Sequence, residues 1–551
     1  MNEYIYKQNL KYLFFVFVVF LLVTFVVGVC QFIGNWMWGD EAETLVTVQQ
    51  MGRGQQLYKD VFNIHGPLYF IPFAILSNFF EGIQFVYLCR LIVILSFLGF
   101  FLYIGVLIKN VLDVASSLIF ISCLIALELV VIFPNFGYMY LYQNITGILV
   151  AVVFSIFLIC LFSEICISKQ QIIICSLIIS SLPLISISNS LTTLFLFVEF
   201  FILSYKSKLL KETLKYTLLF STLYLMVLCF YIDFKGFYVV HYYIINKYLL
   251  NSPSLRDLLL LIKLNFSNPA CYIPFGVFLV LSFGALPNDN GKLICYVQLL
   301  VLVFALVFLY TRDLVYVWKP WLALQHLYCV SIGSVVCFLF FIRNYKILYL
   351  RYLSLGFISI LLLMNYVYFM SEENEKGAFL KQIYSNESAN TIDVVTSQLD
   401  WQSEFSFLVK KFTHNDEKIV AWTFRPSEYL LSEREPATSN FQYIPAMGLY
   451  EINEGKNSPI LGVTYNTVME LKRNKPPMLL IDQWSNGSLF EQGNTWQGYT
   501  KDIMEYVNAN YYKFLGKPYY ISKVKVEQLK NNDRDLFLKL PKLELLNDEV
   551  R

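Results

Sequence analysis

The chain has 551 residues, of which 57% are hydrophobic and only 15% charged, far from the balance of an average soluble protein. Its formal net charge of +2 is close to neutral, and no basic stripe interleaved with aromatic residues stands out, so we expect no nucleic-acid partner. Apolar runs of membrane length fill residues 12–370, and the rest has almost none. The composition predicts a polytopic membrane domain, residues 1–370, and a soluble domain, residues 371–551.

The first apolar run follows Lys7 and Lys11 and extends from Tyr12 to Ile33. Its length of about 22 residues exceeds that of a typical signal-peptide core, and no Ala-x-Ala cleavage site follows it. We therefore expect this run to be a retained membrane span.

Apolar length predicts the number of spans. A helix rises about 1.5 Å per residue, so about 20 apolar residues cross the hydrocarbon core. About eleven segments meet this requirement, some only approximately. They are residues 12–34, 85–108, 111–133, 144–167, 171–187, 190–205, 214–232, 270–286, 293–310, 320–341 and 346–370.

The distribution of Lys and Arg predicts the orientation of these spans. With the N-terminus inside, the inner loops hold most of the basic residues of the short loops, as the positive-inside rule requires. An odd number of spans then places the C-terminal domain outside the cytoplasmic (inner) membrane. Two long outer loops are predicted, residues 35–84 and 233–269. The apolar piece 68–80 contains Pro72 and is too short to cross, so we expect it to lie in the outer interface.

The soluble domain has the pattern of an α/β domain. Residues 418–424 and 477–482 are short apolar runs that predict buried strands. Helical patterns lie near residues 390–412, 461–474 and 500–512. Alternating strands and helices predict a small layered sheet.

The first outer loop contains the most informative polar residues of the chain. Asp40, followed three residues later by Glu43, predicts a helix N-cap with a capping box, and Gly52 predicts the end of that helix. A capping carboxylate that is held rigidly by backbone N–H groups is also well positioned to act as a base, so the structural and catalytic interpretations do not exclude each other. The loop contains three segments: Gly39-Asp40-Glu41-Ala42-Glu43, Gly54-x-x-Leu57-Tyr58-x-Asp60 and His65-Gly66-Pro67-Leu68-Tyr69.

These segments resemble the first outer loop of lipid-linked-sugar glycosyltransferases of the protein O-mannosyltransferase and aminoarabinose-transferase type, which have the C-type glycosyltransferase fold. The family pattern is an Asp-Glu pair after the first span, a Gly-x-x-x-Tyr-x-Asp segment and a His/Lys-Pro-Pro-Leu segment. In this chain Gly66 replaces the first proline. The motif covers about 30 residues, whereas the order of spans, long loop and outer domain matches over the whole chain.

The resemblance implies an inverting glycosyltransferase that moves a sugar from a polyprenyl-phosphate donor to an acceptor hydroxyl on a cell-envelope glycan, lipid or protein. A hydroxyl attacks poorly at neutral pH, and a carboxylate within hydrogen-bond reach can take its proton. The resemblance assigns this base to Asp40. Glu41 would shape the acceptor site or face water.

The resemblance also implies donor-binding residues. His65 matches the position where relatives have a cation near the donor phosphate, although it could instead be a helix-start residue packed against Tyr69 or Trp36. Tyr58 and Asp60 are further candidates for substrate contact. Asp60 has the alternative of capping a turn or pairing with Lys59.

Three residues outside the first loop are weaker candidates for substrate binding. Arg312 and Lys319, in a predicted outer loop, could bind phosphate, or could pair with Asp313 and lipid head groups. Gln143 lies on the predicted outer side and could reach the sugar. His241 stands alone in the sequence, and we expect no ligand role for it.

We predict no metal or other cofactor. The acidic residues Asp40, Glu41, Glu43 and Asp60 could hold a divalent cation, but the branch that this loop resembles does not obviously need one.

Two other functional classes remain open. A transporter or flippase of a lipid-linked or small substrate often shows internal repeats and polar residues at mid-membrane. No clear repeat is visible, and the polar cluster lies in a loop. A non-enzymatic membrane scaffold would need only one span, and this chain has many.

Overall fold

The computed structural model places most of the chain in helices. The residues that it describes are 19–20, 22–30, 32–34, 37, 39–133, 137–249, 269–286, 292–312, 324–345, 347, 401–423, 426–442, 445–455, 457–481 and 496–544. The predicted span 346–370 and the predicted domain boundary at 370 therefore lie outside the described residues, apart from residue 347.

Helices dominate the described part up to residue 345. Residues 22–30 are helical, within the first predicted span. The helices that follow are α1 (Gly39–Gly52), α2 (Ile71–Leu76), α3 (Gly82–Val111), α4 (Val114–Leu127), α5 (Tyr142–Ser163), α6 (Lys169–Ile185), α7 (Ser190–Lys206), α8 (Leu210–Tyr231), α9 (Phe234–Tyr238), α10 (Pro269–Ala285), α11 (Lys292–Arg312) and α12 (Leu324–Tyr345). Two π-helical segments, Glu128–Ile132 and Val239–Leu249, continue α4 and α9.

Four of the described helices are long and apolar enough to cross a membrane. They are α3, α5, α8 and the part of α12 from Tyr328 to Tyr345. The predicted spans 171–187 and 190–205 form two helices of 17 residues each, α6 and α7, joined by a short 3-10 helix, Ile187–Asn189. By length and composition, the described helices support membrane association through several spans.

The chain divides into two compact units. One comprises residues 1–35, 87–225 and 254–389, and the other comprises residues 36–86, 226–253 and 390–551. The second unit therefore joins most of both predicted outer loops to the C-terminal domain.

The first unit is a helical bundle with a buried centre and an apolar outer surface. Helix α5 is buried along most of its length and packs against α12, which also packs against α10. Helix α8 instead exposes large apolar side chains, such as Leu218 at 67%. An apolar face of this extent is expected where lipid rather than water surrounds the helix.

Several charged and polar side chains buried in this bundle have partners. The Arg90 guanidinium donates a hydrogen bond to the Ile33 carbonyl oxygen at 2.8 Å and lies 5.0 Å from the ring centre of Tyr138. Gln298 accepts a hydrogen bond from the Lys206 ammonium and donates one to the Glu199 carboxylate at 2.6 Å. These contacts offset the cost of removing charge from water.

The second unit contains a four-stranded sheet near its C-terminus. The strands are β1 (Val420–Trp422), β2 (Met478–Ile481), β3 (Tyr511–Lys513) and β4 (Tyr519–Ser522), in the order β1-β2-β4-β3. Strands β1 and β2 are parallel, with Ala421 paired to Leu480, and the other two pairs are antiparallel. The first two strands lie where the sequence predicts them.

Helices accompany this sheet and complete its core. They are α13 (Trp401–Phe412), α14 (Glu428–Ser432), α15 (Pro445–Tyr450), α16 (Thr467–Asn474), α17 (Trp496–Asn510), α18 (Lys523–Asn532) and α19 (Arg534–Leu538). Trp422 and Ile481 from the sheet pack with Leu471 of α16 and Val507 of α17. This packing requires apolar residues at one face of each helix, which is the pattern that predicts α16 and α17.

The first outer loop begins with α1 and folds back along it. Helix α1 begins at Gly39, one residue before the predicted N-cap, so Asp40 lies in the first turn. The end at Gly52 is as predicted. A Cβ added to Gly52 would lie 2.6 Å from the Ala74 carbonyl oxygen, which shows how closely α2 approaches. The predicted interfacial segment 68–80 forms a 3-10 turn and α2, whose six residues are too few to cross a membrane.

The second outer loop approaches the first one at Gly236, within α9. Asp233 caps α9 by accepting a hydrogen bond from the Gly236 N–H at 2.7 Å. A Cβ added to Gly236 would lie 2.0 Å from the Tyr58 carbonyl oxygen, a distance at which the backbone must move. Glycine is therefore required here by close approach of two backbones.

This contact predicts that alanine at residue 236 lowers the stability of the protein, whereas alanine at residue 99 does not. Gly236→Ala should lower the free energy of unfolding by about 1–3 kcal/mol, the usual cost of inserting a methyl group into a filled space. Gly99→Ala is the matched control, because Gly99 is also helical and a Cβ there meets no atom within 4 Å. It should leave stability unchanged or raise it slightly. Thermal unfolding of the full chain in detergent measures both, and equal midpoints for the two variants would contradict the packing described.

Candidate active site

Three acidic residues share the first turns of α1 but differ in burial. Glu41 is fully buried and Glu43 is 4% exposed, whereas Asp40 is partly exposed. Burial raises the pKa of the Glu43 carboxyl well above its usual value, and the negative charge of Asp40 raises it further. Burial therefore favours the protonated form of Glu43, and Asp40 is the partly exposed acid of this turn. The burial of Glu41 excludes the alternative in which it faces water.

Asn63 ties the turn that carries His65 to α1. Its side-chain N–H donates to the Thr47 hydroxyl oxygen at 2.9 Å, and its side-chain oxygen accepts from the His65 N–H at 2.9 Å. Thr47 in turn donates to the Glu43 carbonyl oxygen. Asn63 is fully buried, so these hydrogen bonds are shielded from water. Because seven residues make about two helical turns, Thr47 lies on the same face of α1 as Asp40.

Two further contacts hold the rest of the loop along α1. The Tyr69 hydroxyl lies 3.2 Å from that of Thr44, and the Ser77 hydroxyl is within 3.5 Å of the Val48 carbonyl oxygen. Thr47 and Val48 lie three and four residues after Thr44, and residues at this spacing share one side of a helix. The returning loop therefore packs against one side of α1. The loop from residue 63 to residue 77 is therefore attached to the helix that begins with the Asp-Glu pair.

Tyr58, in the same loop, connects His65 to other parts of the chain. Its hydroxyl donates to the His65 carbonyl oxygen at 2.5 Å, and its own carbonyl oxygen accepts from the Tyr465 hydroxyl at 2.7 Å. The residue is fully buried and has φ of +68°, a left-handed conformation that is unusual for an aromatic residue. These contacts make Tyr58 a residue that supports His65. Its predicted contact with a substrate stays a prediction.

His241 belongs to the same cluster, although the sequence gives no sign of it. It lies in the π-helical segment Val239–Leu249, and its Nε2 is 3.1 Å from the Tyr58 hydroxyl oxygen. Burial lowers the pKa of His241 to about 4, against the opposing effect of a hydrogen bond to the His65 backbone. His241 is therefore neutral near pH 7. Because the Tyr58 hydroxyl donates to His65, the His241 ring N–H donates to Tyr58.

The predicted donor-site residue His65 is partly exposed, with its backbone fixed on both sides by Asn63 and Tyr58. It precedes the 3-10 turn that begins at Pro67, with Gly66 at the N-cap position. A fixed backbone and an accessible imidazole are what a phosphate-binding side chain requires.

The other predicted site residues are less well placed or are not described. Asp60 is exposed, and its carboxylate accepts the Gln56 N–H at 3.0 Å, as in the capping alternative. Gln143, in the first unit, is buried in the first turn of α5, and its side-chain oxygen has no hydrogen-bond partner among the described atoms. Arg312 ends α11, where its side chain is not described, and Lys319 lies outside the described residues. Their roles in binding stay predictions.

The second outer loop and the C-terminal domain both contact the first loop. The Leu57 N–H donates to the Tyr231 carbonyl oxygen, and the Asp233 N–H donates to that of Leu57, each at 3.0 Å. The Phe62 N–H donates to the Ser439 carbonyl oxygen, also at 3.0 Å. The segment between α1 and His65 is therefore fixed from three directions within one compact unit.

The described part of the chain contains no group of three or more His, Cys, Asp or Glu side chains arranged to hold a metal ion. In the first loop, Glu41 and Glu43 are buried in α1, whereas Asp60 is exposed. The acids of this loop thus have different environments.

No protein-family model matches the chain, and no curated protein sequence matches it. The resemblance carried by residues 39–69 therefore depends on its motif and on the geometry of this loop. Since a fold by itself does not define an activity, the function has to be argued from the site.

The burial of His241 predicts a specific dependence of stability on pH. An unfolded chain binds a proton at His241 near pH 6.5, whereas the folded protein does so only near pH 4. The contribution of His241 to stability is therefore fully present above about pH 6.5 and is lost as the pH falls towards about 4, by about 3 kcal/mol at most.

The measurement compares wild type with His241→Gln in thermal unfolding at about pH 7.5 and about pH 5. The stability difference between the two proteins should shrink at the lower pH, because Gln cannot titrate. His414→Gln, which removes an exposed imidazole, is the control for replacing a histidine with glutamine. A difference for His241→Gln that does not change with pH would contradict a neutral, buried His241.

Proposed function

We propose that this protein is an inverting glycosyltransferase of the C-type fold, which moves a sugar from a polyprenyl-phosphate donor to an acceptor hydroxyl on the extracytoplasmic face of the membrane. The observation that carries the proposal is the attachment of the His65 turn to α1 through Asn63, because it fixes a base and a phosphate ligand on one rigid element. The acceptor would be a glycan, lipid or protein of the cell envelope.

The proposed base is Asp40. It lies in the first turn of α1, where the helix dipole favours a carboxylate, and it is more accessible than Glu41 and Glu43. As the acceptor oxygen attacks the anomeric carbon, Asp40 takes its proton. The bond from that carbon to the phosphate oxygen breaks on the opposite side, so the anomeric configuration inverts and the electron pair remains on the lipid phosphate.

The proposed phosphate ligand is His65. The leaving phosphate gains negative charge as its bond to the sugar breaks, and a donor that is already in position stabilises that charge without reorganising. His65 meets this condition as an imidazolium or as a neutral N–H donor. Its backbone N–H and carbonyl oxygen are both hydrogen-bonded, which limits the motion of the side chain.

The arrangement of the chain supports a site at the outer surface of the membrane. Several apolar helices are suited to the bilayer, and the two long loops share a compact unit with the C-terminal sheet. We place this unit on one side of the membrane as part of the proposal. We propose about eleven spans, an inner N-terminus and an outer C-terminal domain in the cytoplasmic membrane, where a lipid-linked donor replaces nucleotide sugars.

One observation favours the transporter alternative. Glu128 is buried in the first unit, and neither of its carboxylate oxygens has a hydrogen-bond partner among the described atoms. Buried acids in membrane helices often mark transport pathways. A transporter, however, has no need of Asp40 as a base, so substitution of this residue separates the two functions.

Asp40→Asn should abolish sugar transfer and preserve donor binding, because the amide cannot accept the acceptor proton. Loss of a general base predicts a decrease in the turnover rate of about 100-fold to 10,000-fold. The donor can be obtained from cells that lack the protein, in which the unused lipid-linked sugar accumulates. Its consumption by the purified protein, with membrane extract as the source of acceptor, gives the rate.

Asp113→Asn is the matched control, since Asp113 begins α4 and asparagine caps a helix equally well. It should turn over at the wild-type rate. Wild-type turnover by Asp40→Asn would show that Asp40 is not the base. Cells without the protein that accumulate no lipid-linked sugar would argue against the transferase.

A further inference from the structure

Three aromatic rings from separate parts of the chain pack together behind His65. Tyr58 comes from the first outer loop, and Phe237 and His241 come from the second. The ring centres of Phe237 and His241 are 4.7 Å apart, and that of Tyr58 lies 5.4 Å from Phe237 and 5.3 Å from His241. The Tyr58 and His241 rings meet edge to face, at 79°. This packing orients both polar groups towards each other.

The polar groups of this cluster form a directed chain of hydrogen bonds that ends at His65. His241 Nε2 is 3.1 Å from the Tyr58 hydroxyl oxygen, and the Tyr58 hydroxyl donates to the His65 carbonyl oxygen at 2.5 Å. A hydroxyl has one proton and can accept from a second group, so both contacts are satisfied when His241 donates. Removal of either the His241 ring nitrogen or the Tyr58 hydroxyl leaves the other polar group without its partner.

The backbone around Tyr58 is arranged to make this chain possible. Tyr58 adopts its left-handed conformation with φ of +68°, which surrounding contacts have to maintain. Those contacts are the Tyr465 hydroxyl on its carbonyl oxygen and the glycine at 236, which allows α9 to approach. An aromatic side chain can fill a core without a left-handed backbone, so this conformation of Tyr58 points to a role other than packing.

We propose that His241 and Tyr58 are positioning residues for phosphate recognition, which fix the carbonyl of His65 and thereby direct its imidazole at the lipid phosphate. This inference rests on the proposed function, because it assigns supporting residues to the same donor site. Asn63 holds the N–H side of His65, and the Tyr58–His241 pair holds the carbonyl side. Neither Tyr58 nor His241 contacts the donor itself in this arrangement.

Burial of His241 suits it to this task. Burial lowers the pKa of His241 to about 4, so its imidazole is neutral near pH 7 and keeps its N–H donor there. The neutral His241 ring also adds no positive charge behind His65, so it does not compete with His65 for the phosphate.

The alternative is that the cluster only stabilises the fold. Substitutions that keep the ring but remove the polar atom distinguish the two roles. His241→Phe and Tyr58→Phe each break the chain, and His241→Gln places a side-chain N–H close to the position of Nε2. Tyr429→Phe is the matched control, because Tyr429 is also buried and its hydroxyl also makes two hydrogen bonds, here with the Ala421 N–H and the Phe441 carbonyl oxygen.

The experiment measures binding of a short-chain polyprenyl phosphate to the purified full chain in detergent, together with the thermal midpoint of each variant. His241→Phe and Tyr58→Phe should each weaken binding about tenfold, and the double variant should bind no more weakly than the weaker single one, because both break one chain. His241→Gln should bind within about threefold of wild type. Tyr429→Phe should lower the midpoint as Tyr58→Phe does and leave binding unchanged.

Unchanged binding by His241→Phe and Tyr58→Phe, with a lowered midpoint, would overturn this inference and leave the proposed function in place. Absence of binding by the wild-type protein would overturn both. If His241→Phe does not fold, Tyr58→Phe and the recovery in His241→Gln carry the same test. Additive losses in the double variant would also contradict a single chain.

Discussion

The hydrogen bonds of Asn63 are the interaction on which the arrangement of the first loop depends. The amide group is buried and has to satisfy both its donor and its acceptor inside the protein. It does so by joining Thr47 of α1 to the backbone of His65. This side chain therefore connects the turn that carries His65 directly to α1, in addition to the contacts that Tyr69 and Ser77 make with the same helix.

The same region shows how burial assigns different chemistry to similar residues. Glu43 and Asp40 are separated by three positions, yet burial raises the pKa of Glu43 while Asp40 remains partly exposed. His65 and His241 are connected through Tyr58 and both are partly exposed, yet burial of the His241 ring lowers its pKa to about 4. Asp40, the more exposed acid, is suited to contact a substrate, and the neutral His241 is suited to support His65. This division is the physical basis of the transferase hypothesis.

Elements that depend on local patterns were predictable from the sequence. Continuous apolar length predicts α3 and α5, and short apolar runs between polar segments predict β1 and β2. Gly52 ends α1 as a glycine at a helix terminus does. Hydropathy alone does not determine the number of spans. Helices such as α6 and α7 have 17 residues, a length that also suits a helix in the interior of a bundle.

Features that depend on distant contacts were not predictable in this way. His241 is 183 residues from Tyr58, and no periodicity or motif connects the two. Strands β3 and β4 are rich in tyrosine, and β3 begins at residue 511, within the segment that favoured a helix near 500–512, because pairing between strands decided its conformation. The left-handed backbone of Tyr58 likewise depends on distant contacts, with Tyr465 and with the backbone at Gly236.

An experimental structure of the full chain with a bound polyprenyl phosphate tests the central claim most directly. The account predicts that the phosphate contacts the His65 imidazole, with the sugar-bearing side directed towards Asp40 and with Asn63 still bonded to Thr47 and His65. A phosphate bound among the helices of the first unit, away from His65, would contradict it. So would a His65 turn that is separated from α1 in the bound state.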